Sequence, residues 1–470
     1  MRKTRIVCTL GPSSVEVPIL RKLFAAGMDV ARLNFSHGDE ATHRTAVKAV
    51  RQVAQETGRY VALLQDLQGP KIRTGSLAEP LVRLARGHQV TLTSRPVRGD
   101  DKTIPVSHQE IITAARPGDR VLLADGQIEL KVRGEHRNGQ VLCSVIRGGL
   151  LGERKGVAIP GRLLTLPALT DKDREDLALG AELQFDYVAI SFVRSPEDVQ
   201  ACRDEMERLG WRAPIVAKLE KLQAIRNLRE IIACSDAVMV ARGDLGVEMA
   251  LGEVPAVQKD IINRANRVGV PVITATEMLE SMVTSNRPTR AEASDVANAI
   301  WDGTDAVMLS QETSTGAHPV EAVRAMSRIC LAAESHPAYL RERPVWKEDS
   351  LSSAIAHASA QVATEVKARY IIAFTESGAT ALRVSKARPP VPVIAASPSA
   401  SVLRRTALYA GVVPLEVGMG TDTDDMITKA VKAAIGQGVV RPGDRVVFVA
   451  GVPVGKPGQT NMLKVETIRE

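Results

Sequence analysis

At 470 residues the chain is too long for one compact core, so two or three domains are expected. Aromatic residues make up only 3%, which argues against a base-stacking nucleic-acid surface. A net charge of +7 suits small anionic metabolites at least as well as a polyanion. No apolar run approaches the roughly 18 residues that a membrane span needs. The basic N-terminus, MRKTRIVCTLGPSS, has no long apolar stretch, so no signal peptide is read there. The five cysteines are widely spaced and form no CxxC pair, which fits a reduced, cytoplasmic protein.

Short β-branched runs alternate with helical patterns along the first two thirds. In order they are TRIVCTL, DVARLNF, VALLQDL, YVAISFV, PIVAKLE, AVMVARGD, VPVITAT and AVMLS. Runs apolar on both faces indicate a parallel sheet covered by helices. Eight of them predict a (β/α)₈ barrel of the TIM type, assigned to residues 1–69 and 165–335. The alternation breaks between the third and fourth runs. Residues 70–164 read as short strands with tight turns, and Asn138-Gly139 is a hairpin signal. They predict an all-β, barrel-like lid inserted after barrel strand 3, over the catalytic face. SHPAYLRERPVWKEDS reads as a linker. Beyond it YIIAFTESG, PVIAAS, VVPLEV and DRVVFVAG alternate with helical segments. They predict an open α/β domain over residues 336–470.

The C-terminal ends of barrel strands converge on one face. Here those ends carry Arg32, Asn34 and Ser36; Asp66, Lys71 and Arg73; Lys218 and Glu220; Gly243 and Asp244; Thr276; and Ser310 and Glu312. Glu220 and Asp244 are hard oxygen ligands suited to Mg²⁺. Lys218 can stabilise charge on a phosphoryl group or an enolate oxygen. Arg32 and Arg73 can clamp phosphates bidentately. The amides of Gly243 and Asp244 can begin a helical turn and bind an anion, glycine allowing close approach. The plainer reading is a solvated rim, with Lys218 and Glu220 an ordinary surface pair.

The chain resembles the pyruvate kinase family over essentially its full length. The motifs that carry the resemblance are TRIVCTLGPSS, ARLNFSHGD, DLQGPKIRTG, AISFVRSPED, IVAKLEK, SDAVMVARGDLGVE, ITATEMLESM, PTRAEASDVANAIWDGTDAVMLSQET and the TESGAT loop. The resemblance implies phosphoryl transfer from phosphoenolpyruvate to ADP, giving pyruvate and ATP, with magnesium or manganese as cofactor. It implies that Lys218, Arg32 and Thr276 are catalytic. Arg32, Gly243, Asp244 and Thr276 would hold the substrate, and Glu220 and Asp244 the metal. Arg73, Lys155, Asn34 and His37 would face the nucleotide. A lone His or Lys in such positions is also commonly structural. A homotetramer is implied, with no nucleic-acid or membrane partner.

Departures from the family bear on the monovalent cation. Many members have Thr at the position of Leu67 and Glu at that of Lys71, and bind potassium through the counterparts of Asn34, Ser36 and Asp66. Leu67 offers no side-chain oxygen, and the Lys71 ammonium can take the cation's role, so potassium is not expected to be required. Glu277, Gln311 and Ala158 also depart from the common residues, without an evident consequence. The loop Thr375, Ser377, Gly378 and Thr380 is similar to the family's site for a phosphorylated allosteric effector. Its hydroxyls suit a helix cap equally well. Two other function classes fit parts of the pattern: a barrel lyase or aldolase acting on pyruvate enolates, and a non-catalytic sugar-phosphate sensor. The first needs no lid, and the second should have lost Lys218 or a metal carboxylate.

Overall fold

The computed structural model describes residues 1–162, 164–340, 350–453 and 459–469. Its centre is a closed barrel of eight parallel strands. They are Arg5–Thr9, Val30–Asn34, Ala62–Asp66, Tyr187–Ile190, Ile215–Leu219, Ala237–Ala241, Val272–Ala275 and Ala306–Leu309. Each falls on one of the eight predicted runs. Almost every residue in them is buried, because side chains face either the barrel interior or the surrounding helices. Interior residues such as Val7, Leu64, Val216, Met239 and Ile273 form a cluster continuous with the core of the C-terminal unit. The base of the barrel therefore docks on that unit, which leaves the opposite, C-terminal face for the site.

Between the third and fourth barrel strands lie two antiparallel-rich sheets of two and six strands. Asn138 and Gly139 both have positive φ, at 51° and 73°. Arg137 and Gln140 exchange backbone hydrogen bonds across them, the two-residue hairpin that Asn-Gly favours. One helix, Gln109–Ala114, interrupts the all-β pattern that the sequence suggested. Six residues are too few to show a helical period.

The C-terminal unit is a five-stranded sheet with spatial order Val412–Glu416, Val393–Ser397, Tyr370–Phe374, Arg445–Ala450 and Met462–Thr467. The first four are the predicted runs and pair in parallel. The fifth is an antiparallel edge strand absent from the sequence reading. Its residues are half-exposed and mixed in character, as an edge strand permits. Most of the expected linker, residues 341–349, lies outside the described residues. All five cysteines are free thiols. Among the described residues no helix is long and apolar enough to cross a membrane.

A buried ionic cluster joins barrel to C-terminal unit. Lys386 Nζ donates to Asp305 Oδ2 at 2.7 Å and to Asn266 Oδ1 at 2.8 Å, and Arg388 pairs with Asp305 Oδ1 at 2.8 Å. The two cations hold the Asp305 carboxyl below its usual value against the effect of burial. Removing one partner of such a buried pair strands the other charge. Asp305→Ala is expected to destabilise the protein by about 3–5 kcal/mol. Denaturant unfolding checks this, and an unchanged midpoint would show that the cluster adds no net stability. Because the folded pKa is depressed, the stabilisation is present above the ordinary aspartate range. It is lost as pH falls through the depressed value.

Candidate active site

One cavity of about 450 Å³ opens at the C-terminal face of the barrel. Its lining includes Arg32, Asn34, Lys218, Glu220, Asp244 and Thr276. These residues come from four different strand ends, which only the closed barrel brings together. The loop Gly11–Ser14 packs on Ser314, a lining residue, and the Ser13 amide donates to the Ser314 carbonyl at 3.0 Å. A side chain at Gly11 would stand 2.6 Å from the Ser314 carbonyl oxygen, so glycine lets this loop pack against the one after the last strand. His37, Ser310 and Gln311 also line the cavity.

At its floor the charges are paired. Lys218 Nζ donates to Ser191 Oγ at 2.7 Å and lies 2.9 Å from Glu220 Oε1. It is also 3.2 Å from Asp66 Oδ1, in an ion pair without hydrogen-bond geometry. Arg32 Nε donates to Asp66 Oδ2 at 2.6 Å, and its NH1 donates to Thr9 Oγ1 at 2.8 Å. Glu220 Oε2 accepts from the Phe192 amide at 2.6 Å. Burial opposes the charge on Lys218, yet Asp66 and Glu220 hold its ammonium above the ordinary lysine range. Burial likewise opposes the charge on Asp66, and Lys218 and Arg32 hold that carboxyl below its usual value. Glu220 differs. Burial pushes its carboxyl up, Lys218 opposes this only in part, and Asp244 adds a like charge.

Thr276 has φ of 67° and Glu277 φ of 54°, left-handed conformations that non-glycine residues seldom adopt. Arg242 secures them: its guanidinium donates to the Thr276 carbonyl at 2.7 Å and pairs with Asp295 at 2.6 Å. The bend aims Thr276 Oγ1 at the Gly243 amide, 2.8 Å away. Gly243 and Asp244 do begin a helix, Arg242–Glu248, as expected. The Gly243 amide is already engaged by Thr276, however.

Other expected residues lie apart. The Lys71 ammonium stands 3.9 Å from Asp125 of the inserted unit and lines a second cleft between that unit and the barrel. Asp66, its expected neighbour, is taken up by Arg32 and Lys218. The Ser36 amide donates to Asn34 Oδ1 at 3.1 Å. Arg73 NH1 donates to the Arg154 carbonyl at 3.1 Å, and Lys155 is exposed; neither lines the cavity or the cleft. Burial, reinforced by Arg73, Arg32 and Lys71, pushes the His37 imidazole below its ordinary pKa. Glu312 is a brace: its carboxylate accepts from the amides of Leu279 and Ser310 at 3.1 and 2.6 Å.

The family model "Pyruvate kinase, barrel domain" matches residues 1–323, and "Pyruvate kinase, alpha/beta domain" matches residues 353–466. The chain belongs to the pyruvate kinase family. It is 44% identical over 473 residues to a pyruvate kinase of Staphylococcus saprophyticus, covering 100% of this chain and 81% of that one. It is 43% identical over 472 residues to a pyruvate kinase of Staphylococcus aureus, with the same coverage. The crystal structure of a pyruvate kinase from Cryptosporidium parvum superposes with a TM-score of 0.92 at 36% identity, covering 99% of this chain and 96% of that one. The family is one of phosphotransferases, so the chain is an enzyme of that class.

Pyruvate kinases imply a divalent metal. Among the described residues no group of three or more His, Cys, Asp or Glu is placed to hold one. Two carboxylates do fit magnesium, which usually takes one or two with waters and substrate phosphates. Glu220 and Asp244 line both the barrel cavity and the adjoining cleft. Burial and the like charge of Asp244 push the Glu220 carboxyl up despite Lys218 at 2.9 Å, and a cation beside the two carboxylates would offset both effects. Ser191, Phe192 and Arg242 are site residues that the sequence reading did not single out. Ser191 and Phe192 lie inside the predicted run YVAISFV, and the observed strand ends just before them, at Ile190. Arg242 reads as part of the same loop as Asp244, and nothing in the sequence shows its reach to Thr276.

Proposed function

We propose that this pyruvate kinase family member transfers the phosphoryl group of phosphoenolpyruvate to ADP in the barrel cavity, with magnesium. The observation that carries the reading is the convergence of Arg32, Lys218, Glu220, Asp244 and Thr276 on that cavity. Arg32 binds the phosphoryl oxygens, its guanidinium already oriented by Asp66 and Thr9. An oxygen of the ADP terminal phosphate attacks phosphorus, the bond to the enol oxygen breaks, and pyruvate enolate leaves. Lys218 stabilises the charge that shifts from phosphoryl to enolate oxygen, and burial and its partners keep it cationic throughout. Glu220 and Asp244 would hold the metal, which would supply neutralisation of phosphate charge and orientation of both substrates. Thr276 orients the substrate carboxylate and protons near the enolate carbon. Arg73 and Lys155 of the inserted unit, with Asn34 and His37 of the barrel, serve the nucleotide. A proton from solvent then adds to the enolate carbon and completes pyruvate, so each turnover takes up one proton.

ATP formation from phosphoenolpyruvate and ADP, titrated with magnesium, tests the reading. Magnesium-dependent ATP is expected, and ADP-independent consumption of phosphoenolpyruvate would favour lyase chemistry instead. The homotetramer, the cytoplasmic location and the effector role of the Thr375–Thr380 loop belong to the same proposal. In that loop Thr375 Oγ1 accepts from the Gly378 amide at 2.9 Å, and Thr380 Oγ1 pairs with Thr460 Oγ1 at 3.0 Å.

Potassium is not expected to activate the enzyme. Leu67 is buried and offers no side-chain oxygen, and Lys71 supplies a tethered cation. That role requires the Lys71 stem to turn from Asp125 toward the strand ends. The rate in potassium-free, sodium-free buffer at fixed ionic strength should match the rate with potassium. Lys71→Glu combined with Leu67→Thr should create activation by potassium. Strong potassium activation of the unmodified enzyme would contradict the tethered-cation reading.

A further inference from the structure

A third space, of about 520 Å³, lies at the opposite end of the barrel from the active site. Its barrel wall comes from the entry ends of the strands, including Tyr187, Arg212 and Asp236. Its other wall is the C-terminal unit, through Arg383, Lys386, Arg405 and Tyr409. The charge balance is one-sided. Lys386 is committed to Asp305, and Asp236 is committed to Arg203 at 3.2 Å and to the Ile215 amide at 2.8 Å. Arg212 has only a loose, exposed pairing with Glu207 at 3.3 Å. Arg405 donates through NH2 to the Arg212 carbonyl at 3.1 Å, while its buried Nε has no partner. Among the described residues the Arg383 guanidinium makes no ion pair or side-chain hydrogen bond. Three guanidiniums from two units thus face one space, and among the described residues the one carboxylate paired with any of them is Glu207, held loosely by the exposed Arg212.

Arginines with little neutralising charge around a concave, partly apolar space are a recognition pattern for phosphate groups. We propose that this interdomain cavity is an anion site for a small organic phosphate, held between Arg212 of the barrel and Arg383 and Arg405 of the C-terminal unit. It is separate from the Thr375–Thr380 loop pocket, although Ser377, Ala379 and Arg383 form a wall common to both. A ligand there touches both units at once, and so favours whichever docking angle brings the arginines together. The apolar part of the lining, with Tyr187, Tyr409 and Val270, suits an organic ester better than bare phosphate.

The test is equilibrium binding of phenyl phosphate and of inorganic phosphate to the full-length protein, without metal or substrates. Phenyl phosphate should bind saturably, and more tightly than inorganic phosphate. Arg405→Gln should weaken it about tenfold or more, the scale of one charge-assisted contact. Arg212→Gln should weaken it in the same direction. Arg212 is exposed, so that variant should keep the fold even if Arg405→Gln does not. Thr380→Val alters only the loop pocket and should leave binding unchanged. No saturable binding by the unmodified protein would overturn the proposal. So would weakening by Thr380→Val with none by Arg212→Gln, which would place the ligand in the loop pocket.

Discussion

Lys218→Met should lower kcat by about 10²–10³-fold or more, because one fixed donor or cation at developing charge commonly contributes about 3–4 kcal/mol. Methionine keeps the length and apolar stem, so the change falls mainly on the charge. The fold should survive. Asp66 keeps Arg32 at 2.6 Å, and Glu220 keeps the Phe192 amide at 2.6 Å. The variant also carries a pH signature. Lys218 opposes the rise that burial imposes on Glu220. Without the ammonium the Glu220 carboxyl rises further, so residual activity should require a higher pH than in the unmodified enzyme. A variant with near-normal turnover would remove Lys218 from the chemistry.

Glu220→Gln and Asp244→Asn should each raise the magnesium needed for half-maximal rate by about tenfold to hundredfold, or about 1.4–2.8 kcal/mol. Each exchange removes a charged oxygen and leaves the shape nearly intact. Their pH behaviour should differ. In the unmodified enzyme Glu220 must lose its proton to bind metal, and burial and Asp244 push its carboxyl up. Magnesium affinity should therefore weaken as pH falls toward that raised value. Asp244→Asn removes the like charge, so this acid limb should move to lower pH. Glu220→Gln should abolish the limb. Magnesium titrations across a pH series read both effects, and unchanged titrations in both variants would place the metal elsewhere.

The barrel was legible because its strands are buried on two faces and read as unbroken apolar runs such as AVMVA and VPVIT. The edge strand Met462–Thr467 was not, since half-exposed strands carry no such run. At the site, strand-end logic located Arg32, Lys218, Glu220, Asp244 and Thr276, which line one cavity, and Asp66, which pairs with two of them. It gave no warning that Asp66 would be held by both Arg32 and Lys218, because that depends on side-chain reach across neighbouring strands. It also placed Lys71 beside Asp66, whereas the chain turns at Gly69 and carries Lys71 to Asp125. Arg242 escaped notice for the same reason. Its partner Thr276 lies 34 positions away, and only the left-handed bend at the strand end brings its carbonyl within reach.

The most direct test of the phosphoryl-transfer reading uses phosphoenolpyruvate labelled in its phosphoryl group, mixed with the unmodified enzyme, ADP and magnesium. The label should appear in the terminal phosphate of ATP, with one pyruvate formed per ATP. Label released as inorganic phosphate, or pyruvate formed at the same rate without ADP, would contradict the assignment of the barrel cavity to transfer between these two substrates.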